Sequence, residues 1–117
     1  MAEFMLLFRR DTQSPDPSPE QWQEIGKKWW EWRSQLESQN KIASTGNRLS
    51  KAGRVVKAKN AVTDGPYAEI KEILAGYMII SAENFEEAVA VAKDCPILLQ
   101  NGNVEIRQFI AADDNES

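Results

Sequence analysis

Two short apolar runs restrict what this chain can fold into more than any other feature. Phe4-Met5-Leu6-Leu7, continued by Phe8, is the first; Ile73 to Ile80, counting Gly76, is the second and the longest. Each falls well short of the roughly 18–20 apolar residues that a membrane helix needs, and both read as strands. Over Glu3 to Arg10, Phe4, Leu6 and Phe8 point one way, and Met5, Leu7 and Arg9 the other. Both faces are largely apolar, so both must be covered. Ile73 to Ser81 has the same property and reads as a central strand, where Gly76 lets another backbone or a ligand approach closely. Helices of the same chain can cover one face. A partner subunit is the simple cover for the second.

The helices announce themselves. Asp11 to Pro19 holds three prolines and is a loop. It ends in a helix start, with Ser18 as N-cap, Pro19 at the first helical position and Gln21 closing a capping box. The helix runs to about Gln39. Trp22, Ile25, Trp29, Trp32 and Leu36 recur at three- and four-residue spacing and form its core face. Trp30 falls off that stripe, as a rim or interface residue. Four tryptophans in eleven residues also suit a stacking platform for an aromatic ligand, but three of them lie on the stripe, which favours a core. Asn84 caps a second helix, with Glu87 three residues on. Phe85, Ala88, Val89, Ala92 and Cys95 are its expected buried stripe. Cys95 sits at the helix C-terminus, where the dipole disfavours a thiolate, so it reads as a core thiol. Pro96 stops the helix. Asn101-Gly102-Asn103 is a turn, Val104 to Ile110 a last strand, and Asp113 to Ser117 a polar tail.

Charge is unevenly spread. Lys41 to Thr63 carries six basic residues and no acid, while the remainder holds eight basic and eighteen acidic side chains. Within that basic stretch two extended pieces flank Ala52-Gly53, and Val56 and Ala58 alternate with Lys57 and Lys59. This is either an exposed strand guarded by lysine against edge pairing or a funnel for an anionic substrate. Nucleic acid is not the expected partner, because the whole chain is acidic at net −4 and shows no DNA-binding motif. With no histidine in the sequence, the commonest general base and metal ligand are missing. No metal or cofactor is implied. A single cysteine favours a reducing cytoplasm, and Glu3 with the short Met-Leu-Leu-Phe run argues against a secretory signal. At 117 residues the chain reads as one domain over 1–112, followed by the tail.

Val62 to Glu72 stands between the basic stretch and the second apolar run. Asp64-Gly65-Pro66 is turn chemistry: Gly65 tolerates positive φ, Asp64 can bond the backbone two residues on, and Pro66 pushes Gly65 out of the α region. Tyr67, Glu69 and Lys71 alternate, so an extended segment would put a phenol, a carboxylate and an ammonium on one face. A tight turn with a solvated Glu–Lys pair accounts for the same residues. The stretch Val-Thr-Asp-Gly-Pro-Tyr-Ala-Glu-Ile-Lys-Glu resembles the signature of the YCII-related family, in the subgroup named for its Asp-Gly-Pro-Phe (DGPF) motif. Gly76-Tyr77, Phe85-Glu86-Glu87-Ala88, Cys95-Pro96 and Val104-Glu105-Ile106-Arg107 extend the likeness, which is densest from residue 62 to 107. Tyr67 stands where the motif usually has Phe. Some members use a His–Asp pair, a mechanism that does not carry over to a chain without histidine.

The order of elements suggests an α+β fold, a ferredoxin-like βαββαβ sheet with both helices on one face. The bare second face predicts a homodimer joined sheet to sheet. The resemblance implies the same, since YCII-like proteins are related to dimeric α+β barrels, with pockets between helices and sheet or at the dimer interface. A pocket lined by Asp64, Gly65, Pro66, Tyr67 and Glu69, with Arg9 or Arg107 from neighbouring strands, is the candidate site. Asp64 would be the general base, Tyr67 would donate to a developing oxyanion, and an arginine would clamp a carboxylate. Three readings follow: a small enzyme acting on an organic acid or ring compound by proton transfer, elimination or isomerisation; a ligand sensor or accessory of an extracytoplasmic-function sigma factor, as the resemblance allows; or an interaction dimer with no small ligand.

Overall fold

In the computed structural model, which describes residues 1–11, 13, 15–58, 61–65 and 72–111, the two apolar runs form the paired centre of one sheet. The elements are β1 (Ala2–Asp11), α1 (Pro19–Ser38), β2 (Ile42–Ser44), β3 (Gly53–Ala58), β4 (Ala61–Gly65), β5 (Glu72–Ala82), α2 (Phe85–Ala92), a 3-10 turn (Pro96–Gln100) and β6 (Gly102–Gln108). The four-stranded sheet has the order β2-β5-β1-β6 and every pairing in it is antiparallel. With two helices this is an α+β arrangement consistent with the expected ferredoxin-like βαββαβ order. The strands β3 and β4 pair only with each other, as a second, two-stranded sheet inserted before β5.

The alternation in β1 decides which side chains meet. Phe4, Leu6 and Phe8 are buried, and opposite them on β5 so are Met78 and Ile80. Trp32 and Leu36 of α1 join them, with Ala88 and Val91 of α2, in a single cluster. Both helices therefore lie on one sheet face. Ring packing reinforces the centre: Phe8 meets Trp29 edge-on at 5.2 Å, and Trp29 meets Trp32 at 5.6 Å. The second face carries Met5 opposite Ile79 and Leu7 opposite Tyr77, all half-buried.

The start of α1 is as expected. The Gln21 backbone N–H donates to Ser18 Oγ at 3.2 Å, and the Ser18 N–H donates to Gln21 Oε1 at 2.8 Å. Other expectations need correction. Asp64 and Gly65 are strand residues, paired in register with Arg54 and Gly53. The proline that follows disfavours α geometry at Gly65, and extended backbone satisfies that restriction as well as a turn does. The β3–β4 ladder closes at Ala58 opposite Ala61, so Ala52-Gly53 begins a strand and does not divide the hairpin. In α2 the buried stripe is Ala88, Val91 and Ala92, whereas Val89 is 38% exposed. The helix ends at Ala92, ahead of the expected stop at Pro96, and Cys95, also buried, caps the 3-10 turn that Pro96 opens. Phe85 is half exposed yet packs its ring on Phe4 at 4.9 Å. The last strand begins at Gly102, earlier than expected, and ends at Gln108.

Leu6 lies at the middle of the core and is fully buried. Leu6→Ala should lower the unfolding free energy by about 2–5 kcal/mol, read from urea denaturation; a loss below 1 kcal/mol would show that this strand face is not the core.

Candidate functional site

A loop strapped across β5 makes the site. Ser44 ends β2, and residues 45–51 then cross over the start of β5. The Leu49 N–H donates to the Ala75 carbonyl at 2.8 Å, the Tyr77 N–H donates to the Asn47 carbonyl at 3.2 Å, and Arg48 bridges Gly76. Two glycines allow the approach. Gly46 has φ +66, and a Cβ there would run into the Tyr77 carbonyl; one on Gly76 would stand 3.0 Å from the Asn47 carbonyl oxygen. The close backbone approach expected at Gly76 is thus made by this loop.

Between the loop, α1 and the sheet lies a cleft of about 1120 Å³. Phe8, Gly76 and Met78 contribute from the sheet, and Trp22, Ile25 and Trp30 from α1. The tryptophan stripe is therefore divided. Trp32 is buried and donates its indole N–H to the Val91 carbonyl at 3.2 Å, and Trp29 donates to Gln100 Oε1 at 3.0 Å. Trp22, expected in the core, is 38% exposed on the cleft, and Trp30 is 69% exposed at its rim. The core face of α1 outruns the sheet that it covers, so its first turns meet open space.

The charges in the cleft run against those of the protein. Arg10, Arg33, Arg48 and Lys51 line it against Asp11 and Asp16, four positive charges to two negative in a chain of net −4. Arg10 follows Phe8 on the helix-facing side of β1. Its guanidinium and that of Arg48 each lie 5.9 Å from the centre of the Trp22 ring. Arg10 Nε is buried with no hydrogen-bond partner, a deficit of about 1–3 kcal/mol for a buried polar group and more for a charged one. Among the described residues neither arginine makes an ion pair. Two unpaired guanidiniums on one indole suit a carboxylate or phosphate attached to an apolar or aromatic body.

Arg9 and Arg107 are placed elsewhere. They share the second sheet face, where both meet Glu105: Arg9 Nη2 donates to Oε1 at 3.1 Å and Arg107 Nη1 to Oε2 at 3.5 Å. The structure brings these two together, on the side of the sheet away from the cleft. Asp64 and Gly65 belong to the backbone of β4, on the other sheet. Pro66, Tyr67, Glu69 and Lys71 lie outside the described residues, as does the Asp64 side chain. The sequence reading missed Arg10, Arg48 and the cleft-facing role of Trp22; the run of bases without acids around Arg48 was the available signal.

Cys95 is a core thiol, as expected. It is almost fully buried, and burial pushes the thiol up from an ordinary value of 9.0 to about 12, against a smaller opposing effect of a backbone hydrogen bond at Ile97. Among the described residues no group of three metal-ligating side chains occurs, and no helix is long and apolar enough to cross a membrane.

A YCII-related domain model matches residues 2–112. The chain matches none of the curated proteins compared with it.

The loop and the thiol each give a test. Gly46→Ala would force a side chain into left-handed backbone and against β5, so it should cost at least about 1–2 kcal/mol, measured by denaturant unfolding; a neutral result would mean that the strap is loose. The neutral Cys95 thiol favours the fold fully below pH 9 and progressively less as pH rises toward 12, by at most about 1.4 kcal/mol per pH unit. Wild type should therefore lose more stability than Cys95→Ala between pH 8.5 and about 10.5, and parallel losses in the two proteins would contradict the assignment.

Proposed function

Because the chain belongs to the YCII-related family, we propose that it is a small-ligand protein that holds an organic acid or ring compound in the cleft between α1 and the sheet. The observation that carries this is the cleft itself, which in an acidic protein gathers tryptophans and two arginines that form no ion pair among the described residues. In the catalytic form of this reading the chemistry is proton transfer, as in isomerisation or elimination. Asp64 takes the proton and Tyr67 donates to the developing oxyanion. For Tyr67 its place in the sequence supports this, since it stands six residues before Ile73, which lines the cleft with Leu74 and Ala75. The protein works as a homodimer joined through the Met5, Leu7 and Ile79 face, which no element of its own chain covers among the described residues. A copy seated there would leave the cleft free, because the cleft opens on the other face.

The sensor reading, with a sigma factor as partner, has one observation in its favour: the paired Val56 and Val62 of the β3–β4 hairpin are 65% and 57% exposed, an apolar spot of the kind that proteins dock on.

A thermal-shift screen of organic acids and ring compounds separates these outcomes. A ligand at about 100 times its dissociation constant adds roughly 2.7 kcal/mol, several degrees for a domain of this size. A shift with turnover that Asp64→Asn abolishes supports the enzyme; a shift without turnover supports the sensor. No shift from a broad library would contradict the proposal.

A further inference from the structure

We infer that Arg10, Arg48 and Trp22 form an anion clamp and that the ligand it selects is a planar aromatic carboxylate. The inference rests on the cleft being the ligand site, and it names what the cleft chooses. Three observations converge on it. The two guanidiniums share one indole ring, so they lie within about 12 Å of one another, twice the 5.9 Å separation of each from the ring centre. Like charges repel; the cleft holds Arg10, Arg33, Arg48 and Lys51 against Asp11 and Asp16, and none of the described carboxylates forms an ion pair with Arg10 or Arg48. The Arg10 Nε–H is also desolvated and unbonded, and one carboxylate oxygen would satisfy it. A bidentate carboxylate on a guanidinium fork uses the planar donor set that only arginine offers.

The body of the ligand is set by the surrounding side chains. Trp22 and Trp30 both border the cleft and are exposed, and their neighbours Phe8, Ile25 and Met78 are apolar. A flat ring attached to the carboxylate stacks on an indole face and covers apolar wall at once. A branched or saturated acid would keep the charge contact and lose the stacking. A neutral aromatic amide would keep the stacking and leave both guanidiniums unpaired. The clamp is also built to stay in place: the strap over Gly76 fixes the Arg48 backbone, and the β1 ladder fixes that of Arg10, which pairs with Ile73 on one side and Gly102 on the other.

Titration calorimetry on the intact chain tests this, with benzoate, salicylate and cinnamate as probes and benzamide and cyclohexanecarboxylate as controls. The expected result is that at least one aromatic carboxylate binds wild type at least tenfold tighter than either control. Arg10→Lys, Arg48→Gln and Trp22→Leu should each weaken that ligand by tenfold or more. Arg107→Gln, on the far sheet face, should leave it unchanged. Circular dichroism and melting curves for each variant separate lost binding from lost folding. Equal binding of benzamide, or of the ligand by the Arg48→Gln and Trp22→Leu variants, would overturn the clamp while leaving a ligand in the cleft. Failure of all three carboxylates to bind wild type would overturn it too, and the wider library would then decide whether the cleft binds anything.

Discussion

A strand paired along both edges cannot turn over, and that restriction on β1 orders the rest of this molecule. Its partners β5 and β6 hold it in register from Ala2 to Asp11 and from Phe4 to Arg10. A slip of one residue would send Phe4, Leu6 and Phe8 to the open face and bring Arg9 under the helices. The apolar stripes of α1 and α2 need those three side chains, and the strand needs the helices. The register also passes through a bulge between Phe8 and Arg9, after which the helix-facing position falls to Arg10. The same periodicity that fills the core thus delivers a guanidinium to the point where the core ends and the cleft begins.

The two sheet faces consequently carry different chemistry. On one, the arginines share a carboxylate: Arg9 and Arg107 both reach Glu105, beside half-buried apolar side chains. Such partly exposed pairs contribute about 0–1 kcal/mol. On the other, Arg10 and Arg48 line the cleft, each 5.9 Å from the centre of the Trp22 ring. Arginine is therefore used in two ways among the described residues: Arg9 and Arg107 are paired with Glu105, and Arg10 and Arg48 form no ion pair there.

How much of this was legible in the sequence follows from the range of the interactions. The Ser18–Gln21 capping box, the extent of α1, the two apolar strands and the buried Cys95 were readable because each depends on neighbours a few residues away. The ferredoxin-like order was readable because apolar runs and caps alternate along the chain. The β3–β4 hairpin was misjudged because turn-type residues occur at both Ala52-Gly53 and Asp64-Gly65, and the pairing of these two segments with each other makes strand of Gly53, Asp64 and Gly65. In α2, Val89 and Val91 are both plausible core positions in so short a helix, and only the packing on β5 distinguishes them. The clamp was not readable at all. Arg10 and Arg48 are separated by an entire helix and a strand, and they meet at Trp22 only because the loop after β2 lies down on Gly76.

The claim on which the account turns is that a ligand lies over Trp22 between α1 and the strap. The indole N–H resonances of the four tryptophans, assigned by single substitution and followed by nitrogen-proton correlation spectroscopy during titration with an aromatic carboxylate, test it directly. The account predicts that the Trp22 and Trp30 signals move with the ligand, while that of Trp32, buried and bonded to the Val91 carbonyl, stays in place. Unmoved Trp22 and Trp30 signals, with perturbed backbone resonances at Met5, Leu7 and Glu105, would place the ligand on the opposite face of the sheet and contradict the account.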